Sequence, residues 1–193
     1  MRPQLYLFAS GLFNQPTLAR LEMLRGLLAE LRQALPPNAP WGETLIALES
    51  QLDYDEGMEA EYSRLFILAF PSQAVQPFGS YWLENDQRLL GDSTLEIKWM
   101  MAEYGIEVAD NTGLLPDHIV SELEFMAYLA GLDETTYQTQ QKLLEQHFAR
   151  WMPQFTVALR DANPAPRYRL AADFLDQLID WDRQQVQQLS SAG

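Results

Sequence analysis

The chain contains no cysteine, which excludes disulfides, thiolate metal sites and thiol nucleophiles. Positive charge is scarce: 13 lysines and arginines stand against 27 aspartates and glutamates, for a formal net charge of -14. A nucleic-acid binder needs a basic face for phosphate contacts, so no nucleic-acid partner is expected. Docking on an anionic membrane is disfavoured for the same reason. There are two histidines, His118 and His147. No G-x-S-x-G elbow and no phosphate-cradling glycine-rich loop occurs. Long apolar runs are missing as well. Leu5 to Phe13 is apolar but short and runs into Asn14-Gln15-Pro16, and nothing approaches the roughly 20 apolar residues of a membrane span. The expectation is a cytoplasmic protein.

What is present suffices for a core. Hydrophobic residues make up 47% of 193 residues and charged ones 21%, which argues against global disorder and suits one domain over residues 1–193. Apolar residues recur at helical spacing. Leu5 to Phe13 reads as one helix. Thr17 caps a second that carries Leu18, Leu21, Leu24, Leu28 and Leu31, and Pro36-Pro37-Asn38-Ala39-Pro40 ends it. Further helices are expected at Gly42 to Leu52, Tyr54 to Phe66, Tyr81 to Leu90 and Thr94 to Tyr104, the last capped by Ser93. Another begins with Pro116 at its first position and ends near Gly131. A long helix from Glu134 to Trp151 breaks near Pro153, Asn163-Pro164-Ala165-Pro166 is a hinge, and a closing helix carries Leu170, Phe174, Leu178, Trp181 and Leu189. No strand alternation or internal repeat appears, so the fold class is all-α, a single-domain helical bundle. Two long connectors, Ile67 to Ser80 and Gly105 to Gly113, are places where function concentrates.

Leu114 to Met126 stands out. A helix starting at Pro116 places Asp117 in its first turn and His118 and Glu122 on one face, with Leu123 and Met126 toward the core. Acidic and hydrogen-bonding groups then gather at a helix mouth beside connectors rich in aromatics. A basic, partly apolar peptide would find a charge partner and an apolar wall there. A metal-dependent hydrolase using His118, Glu122 and His147 is the alternative chemistry.

These residues resemble the signature of the TorD/DmsD family of redox-enzyme maturation chaperones: Pro116, Asp117 and His118, then Glu122, Leu123, Phe125 and Met126. Further elements agree in order. Tyr62-Ser63-Arg64-Leu65-Phe66 is similar to the family's aromatic-x-x-Leu-Phe element, and His147 with Trp151 and Pro153 to its His-x-x-x-Trp-x-Pro helix end. Pro77 to Leu83, followed by Leu90 to Leu95, looks most like the DmsD branch. Gly79 stands where many TorD-type members have Glu.

The resemblance implies an all-α chaperone without catalysis or cofactor. It would bind the twin-arginine signal peptide, the catalytic subunit, or both, of a molybdopterin oxidoreductase of the DMSO/TMAO reductase type. It would hold that client in the cytoplasm for cofactor insertion before export by the Tat translocase at the membrane. Carried over by position, the peptide-binding residues fall on Tyr62, Leu65, Phe66, Phe70, Phe78, Trp82, Gly91, Asp117 and His118, with Glu122 beside them. The resemblance allows a monomer or a domain-swapped dimer through the hinge near 163–166, and a guanine-nucleotide response as a further possibility.

Overall fold

A computed structural model describes residues 1–68, 75–109 and 112–192. Its elements are helices: α1 (Arg2–Phe13), α2 (Leu18–Gln33), α3 (Gly42–Leu48), α4 (Gly57–Phe66), α5 (Gly79–Leu83), α6 (Asp92–Glu103), α7 (Ile119–Gly131), α8 (Tyr137–Lys142), α9 (Ala149–Asp161) and α10 (Pro166–Ala192). Among the described residues, β structure is confined to one isolated antiparallel bridge, Phe78 with His118. The all-α bundle is therefore as expected.

The amphipathic pattern becomes burial. Thr17 caps α2, its Oγ accepting from the Arg20 amide at 3.3 Å, and Leu21, Leu24, Leu28 and Leu31 are all buried. The middle helix of the bundle is α1, which runs along α7 and also meets α2 and α10. It buries Leu5, Tyr6, Phe8, Leu12 and Phe13. At Gly11 a Cβ would stand 2.5 Å from Leu24 Cδ2, so a side chain at this α1–α2 contact would force buried Leu24 to shift. Phe8 meets Phe174 edge-on at 5.5 Å, and Trp41 packs on Phe174 and Trp181. Buried Asp182 of α10 ties down the start of α1. It accepts from Arg2 at 2.6 and 2.9 Å and from the Tyr6 hydroxyl at 2.8 Å.

Several boundaries differ from the sequence reading. The helix expected over Tyr81 to Leu90 is the short α5, because Gln87 and Leu90 adopt left-handed φ of 53° and 63°, which an α-helix cannot contain. Gly91, not Ser93, takes the N-cap position of α6. Pro153 lies inside α9 and does not end it. A π-helical stretch, Leu143–Phe148, joins α8 to α9. Among the described residues no helix is long and apolar enough to cross a membrane.

Candidate functional site

The Pro116–Asp117–His118 segment is a turn, not the first turn of a helix. His118 is the N-cap of α7, with extended backbone, and its Nδ1 accepts from the Val120 amide at 3.2 Å. Asp117 therefore stands outside the helix. It reaches instead to the start of α5. The Asp117 carbonyl accepts from the Gly79 amide at 2.8 Å and its Oδ2 from the Ser80 amide at 2.9 Å. Two amides that α5 leaves unpaired at its N-terminus are thus satisfied from a residue 37 positions away. The Ile119 amide donates to the Pro77 carbonyl at 2.8 Å, and the Phe78 ring stands edge-on to His118 at 5.0 Å. The lock is almost dry: Asp117 has no exposed surface and His118 is 4% exposed.

Two polar atoms in this lock lack a hydrogen-bond partner, Asp117 Oδ1 and Ser80 Oγ. An unpaired buried carboxylate oxygen is costly unless a donor is supplied to it. The His118 ring also departs from an ordinary histidine. Burial pushes its pKa down to about 4 against a modest opposing pull from Asp117, so the ring is neutral near pH 7.

Glu122, one turn into α7, is fully buried but does not pair with His118. Its Oε1 lies 2.6 Å from His147 Nε2, and its Oε2 accepts from Trp151 Nε1 at 3.1 Å. Burial pushes the carboxyl up to about 7, partly opposed by the charge and hydrogen bond of His147. A single proton between carboxyl oxygen and ring nitrogen serves that contact. The hydrolase set of His118, Glu122 and His147 is not assembled: His118 spends Nδ1 on its cap, and no group of three or more His, Asp or Glu able to hold a metal exists among the described residues.

Gly79 roofs this cluster. A Cβ there would lie 3.1 Å from both Glu122 Oε1 and His147 Nε2, and 3.3 Å from Trp151 Nε1. Gly79→Ala should cost about 1–3 kcal/mol by overpacking rigid buried groups, read as a lower urea midpoint at unchanged slope. An unaltered midpoint would mean that the cluster yields freely. The sequence offered part of this: His147 and Trp151 are four apart and share a helix face. Nothing local pointed to Gly79 as their neighbour.

The remaining candidates form two further groups. On α4, Leu65 and Phe66 are buried and Tyr62 half-buried. Tyr62 meets Phe66 at 5.3 Å, and Phe66 in turn stacks on Phe155 at 6.3 Å and meets Tyr168 edge-on at 5.4 Å. Phe155 continues to Trp151 at 5.8 Å, so a run of rings joins α4 to the Glu122 cluster. Trp82 is half-buried with its Nε1 donating to the Gln76 carbonyl at 2.9 Å. Gly91 is pressed against Glu84, whose Oε1 accepts from the Ser93 amide and hydroxyl at 3.0 and 2.7 Å. Phe70 lies outside the described residues. Asp117, His118, Glu122 and Phe78 are thus brought together, Trp82 and Gly91 flank them on and after α5, and α4 connects to them through the ring series and through the Leu65 carbonyl, which accepts from the Val75 amide at 2.7 Å in the segment leading to Phe78.

Two adjoining cavities of about 400 and 380 Å³, the first between α6 and Leu114 to Pro116 and the second reaching α7, share Met101, Ile106, Glu107, Val108 and Leu114. Leu90, Leu95 and Trp99 are exposed nearby on the α6 side.

Residues 14–157 match the nitrate reductase delta subunit family. Among curated proteins, the Tat proofreading chaperone DmsD of Salmonella typhi is 30% identical over 135 residues, covering 68% of this chain and 64% of that protein. The chaperone protein TorD of a Psychrobacter species is 24% identical over 143 residues, covering 70% and 64%. The match thus spans a little under two thirds of the length of these relatives. A solved structure from Archaeoglobus fulgidus, described as a redox enzyme maturation protein, superimposes with a TM-score of 0.63 at 24% identity, covering 94% of this chain and 93% of that one. It shares the fold.

Proposed function

Because the chain belongs to the nitrate reductase delta subunit family, the family of the TorD and DmsD chaperones, we propose that it is a redox-enzyme maturation chaperone and not an enzyme. Its client is the catalytic subunit of a molybdopterin oxidoreductase, held through its twin-arginine signal peptide in the cytoplasm until the cofactor is in place. The observation that carries the peptide reading is Asp117 Oδ1, a buried carboxylate oxygen without a donor. Oδ2 accepts from the Ser80 amide of α5, so a displacement of α5 frees both carboxylate oxygens. A guanidinium would supply the missing donor with a charge-assisted bond. Asp117 is sealed in the free chain, so entry requires the five-residue α5 to tilt from the α7 turn. Phe78 and Trp82 move with it and offer aromatic surface to the arginine pair. The apolar stretch that follows the arginines fits the two cavities beside α6 and Leu114, where burial contributes about 25 cal/mol per Å². The net charge of -14 favours encounter with a basic peptide.

Calorimetry with a twin-arginine signal peptide tests this. Asp117→Asn, which keeps the shape and removes the charge, should weaken binding by about 1–3 kcal/mol, roughly five- to 150-fold. A twin-lysine peptide should lose affinity for the native chain and little more for the variant. Equal affinity of native chain and variant, with both folded, removes Asp117 from the site.

A further inference from the structure

One buried charge plays no part in the peptide site. Arg167 is 3% exposed, yet none of its three guanidinium nitrogens has a hydrogen-bond partner. In a chain with twice as many acids as bases, a buried arginine without a carboxylate is an anomaly. Burial lowers its pKa, but an arginine stays charged at neutral pH, and an uncompensated buried charge is costly. The side chain lies 5.8 Å from the ring of Tyr168, whose hydroxyl is also buried and unpartnered.

Both residues line a half-open cleft of about 600 Å³ at the start of α10, bordered on its other sides by the beginning of α4 and the α9–α10 turn. The cavity's other charged side chains are engaged. Glu61 accepts from Arg64 Nε and Nη2 at 2.7 and 2.9 Å and from the Ala165 amide at 2.8 Å. Asp55 accepts from the Gly57 amide at 2.7 Å. Arg167 is the one charged residue of this lining without a partner. The 27-residue α10 adds the positive end of its dipole at the same place.

We propose that this cavity binds a small molecule through an oxyanion, a phosphate or carboxylate group, held by the Arg167 guanidinium and the Tyr168 hydroxyl. Both polar groups are sealed from the cleft in the free chain, and rotation of the Arg167 and Tyr168 side chains toward it brings them to the ligand. The volume matches small-molecule sites, and a planar fork with a neighbouring hydroxyl suits an oxyanion.

The test is thermal melting of the full chain in inorganic phosphate, in acetate and in sodium chloride of equal ionic strength. The native chain should melt higher in at least one of the two anions than in chloride. A larger rise with phosphate assigns a phosphate ester, and a larger rise with acetate a carboxylate. Arg167→Met should abolish the rise while melting no lower than the native chain in chloride, since it removes an unpaired charge. Arg169→Met, at an exposed neighbour, should leave the rise intact. Tyr168→Phe should weaken anion binding about ten-fold and decides the matter if Arg167→Met does not fold. No rise in the native chain, the same rise in Arg167→Met, or unchanged affinity in Tyr168→Phe overturns the site.

Discussion

Glu122→Ala should destabilise the fold by about 3–5 kcal/mol, a substantial part of the roughly 5–15 kcal/mol margin of a folded domain. The carboxylate is fully buried and is the partner of both His147 Nε2 and Trp151 Nε1. Truncation strands two buried groups and opens a void under Gly79. Glu122→Gln should cost less, because the amide keeps one acceptor oxygen. A loss below about 1 kcal/mol for Glu122→Ala in urea unfolding would mean that the cluster repairs itself.

The same cluster sets an unusual pH response. Glu122 has its folded pKa raised to about 7 from 4.5, so its contribution is full below pH 4.5 and is lost as pH rises toward 7. His118 has its folded pKa lowered to about 4 from 6.5. Its contribution is present above pH 6.5 and is lost as pH falls toward 4. The two oppose one another over the same interval. Relative to the native chain, Glu122→Gln should therefore gain stability with rising pH between 4.5 and 7. His118→Asn, which keeps a capping acceptor, should lose it over 4 to 6.5. Each relative change should be about 1–3 kcal/mol. Parallel profiles for all three proteins would contradict both assignments.

Asp182→Ala is the second large effect, expected at about 3–5 kcal/mol. Asp182 is completely buried and satisfies the Arg2 guanidinium with two oxygens and the Tyr6 hydroxyl with one of them. Without it Arg2 keeps only Gln140, at 2.6 Å, and Tyr6 keeps no acceptor. The loss falls on α1, the helix that lies between α7 and α10. Arg2→Ala combined with Asp182→Ala should cost less than the two single losses added, because the double variant leaves no stranded charge. A double-mutant cycle measures the difference. Strict additivity would mean that the pair contributes nothing beyond packing.

Prediction and structure part at identifiable places. Local rules sufficed for α1, α2, α3, α4 and α10, and for Leu123 and Met126 as core. There the 3.6-residue pattern, the Thr17 cap and the prolines all act within a few residues of one another. They failed where a distant segment outbids the local preference. Asp117 was expected inside the first turn of a helix, but the start of α5 offers it two amides. Pro153 was expected to stop a helix, but α9 runs through it, its inner face held by buried Trp151, Met152, Phe155 and Leu159. Glu122 was expected beside His118, four residues away, but takes His147 and Trp151 from 25 and 29 positions off.

By itself, then, the sequence determined the class of fold, most helix spans, the absence of thiol chemistry, a net charge of -14 and the family signature centred on Leu114 to Met126. These follow from composition and short-range periodicity. Only the tertiary structure decided that Asp117 is sealed with one oxygen unpaired, that Gly79 is pressed onto a buried Glu122–His147–Trp151 cluster, and that Arg167 has no counter-charge. Burial and partner identity depend on which surfaces meet across the bundle, and no rule that sees only neighbours along the chain contains that information.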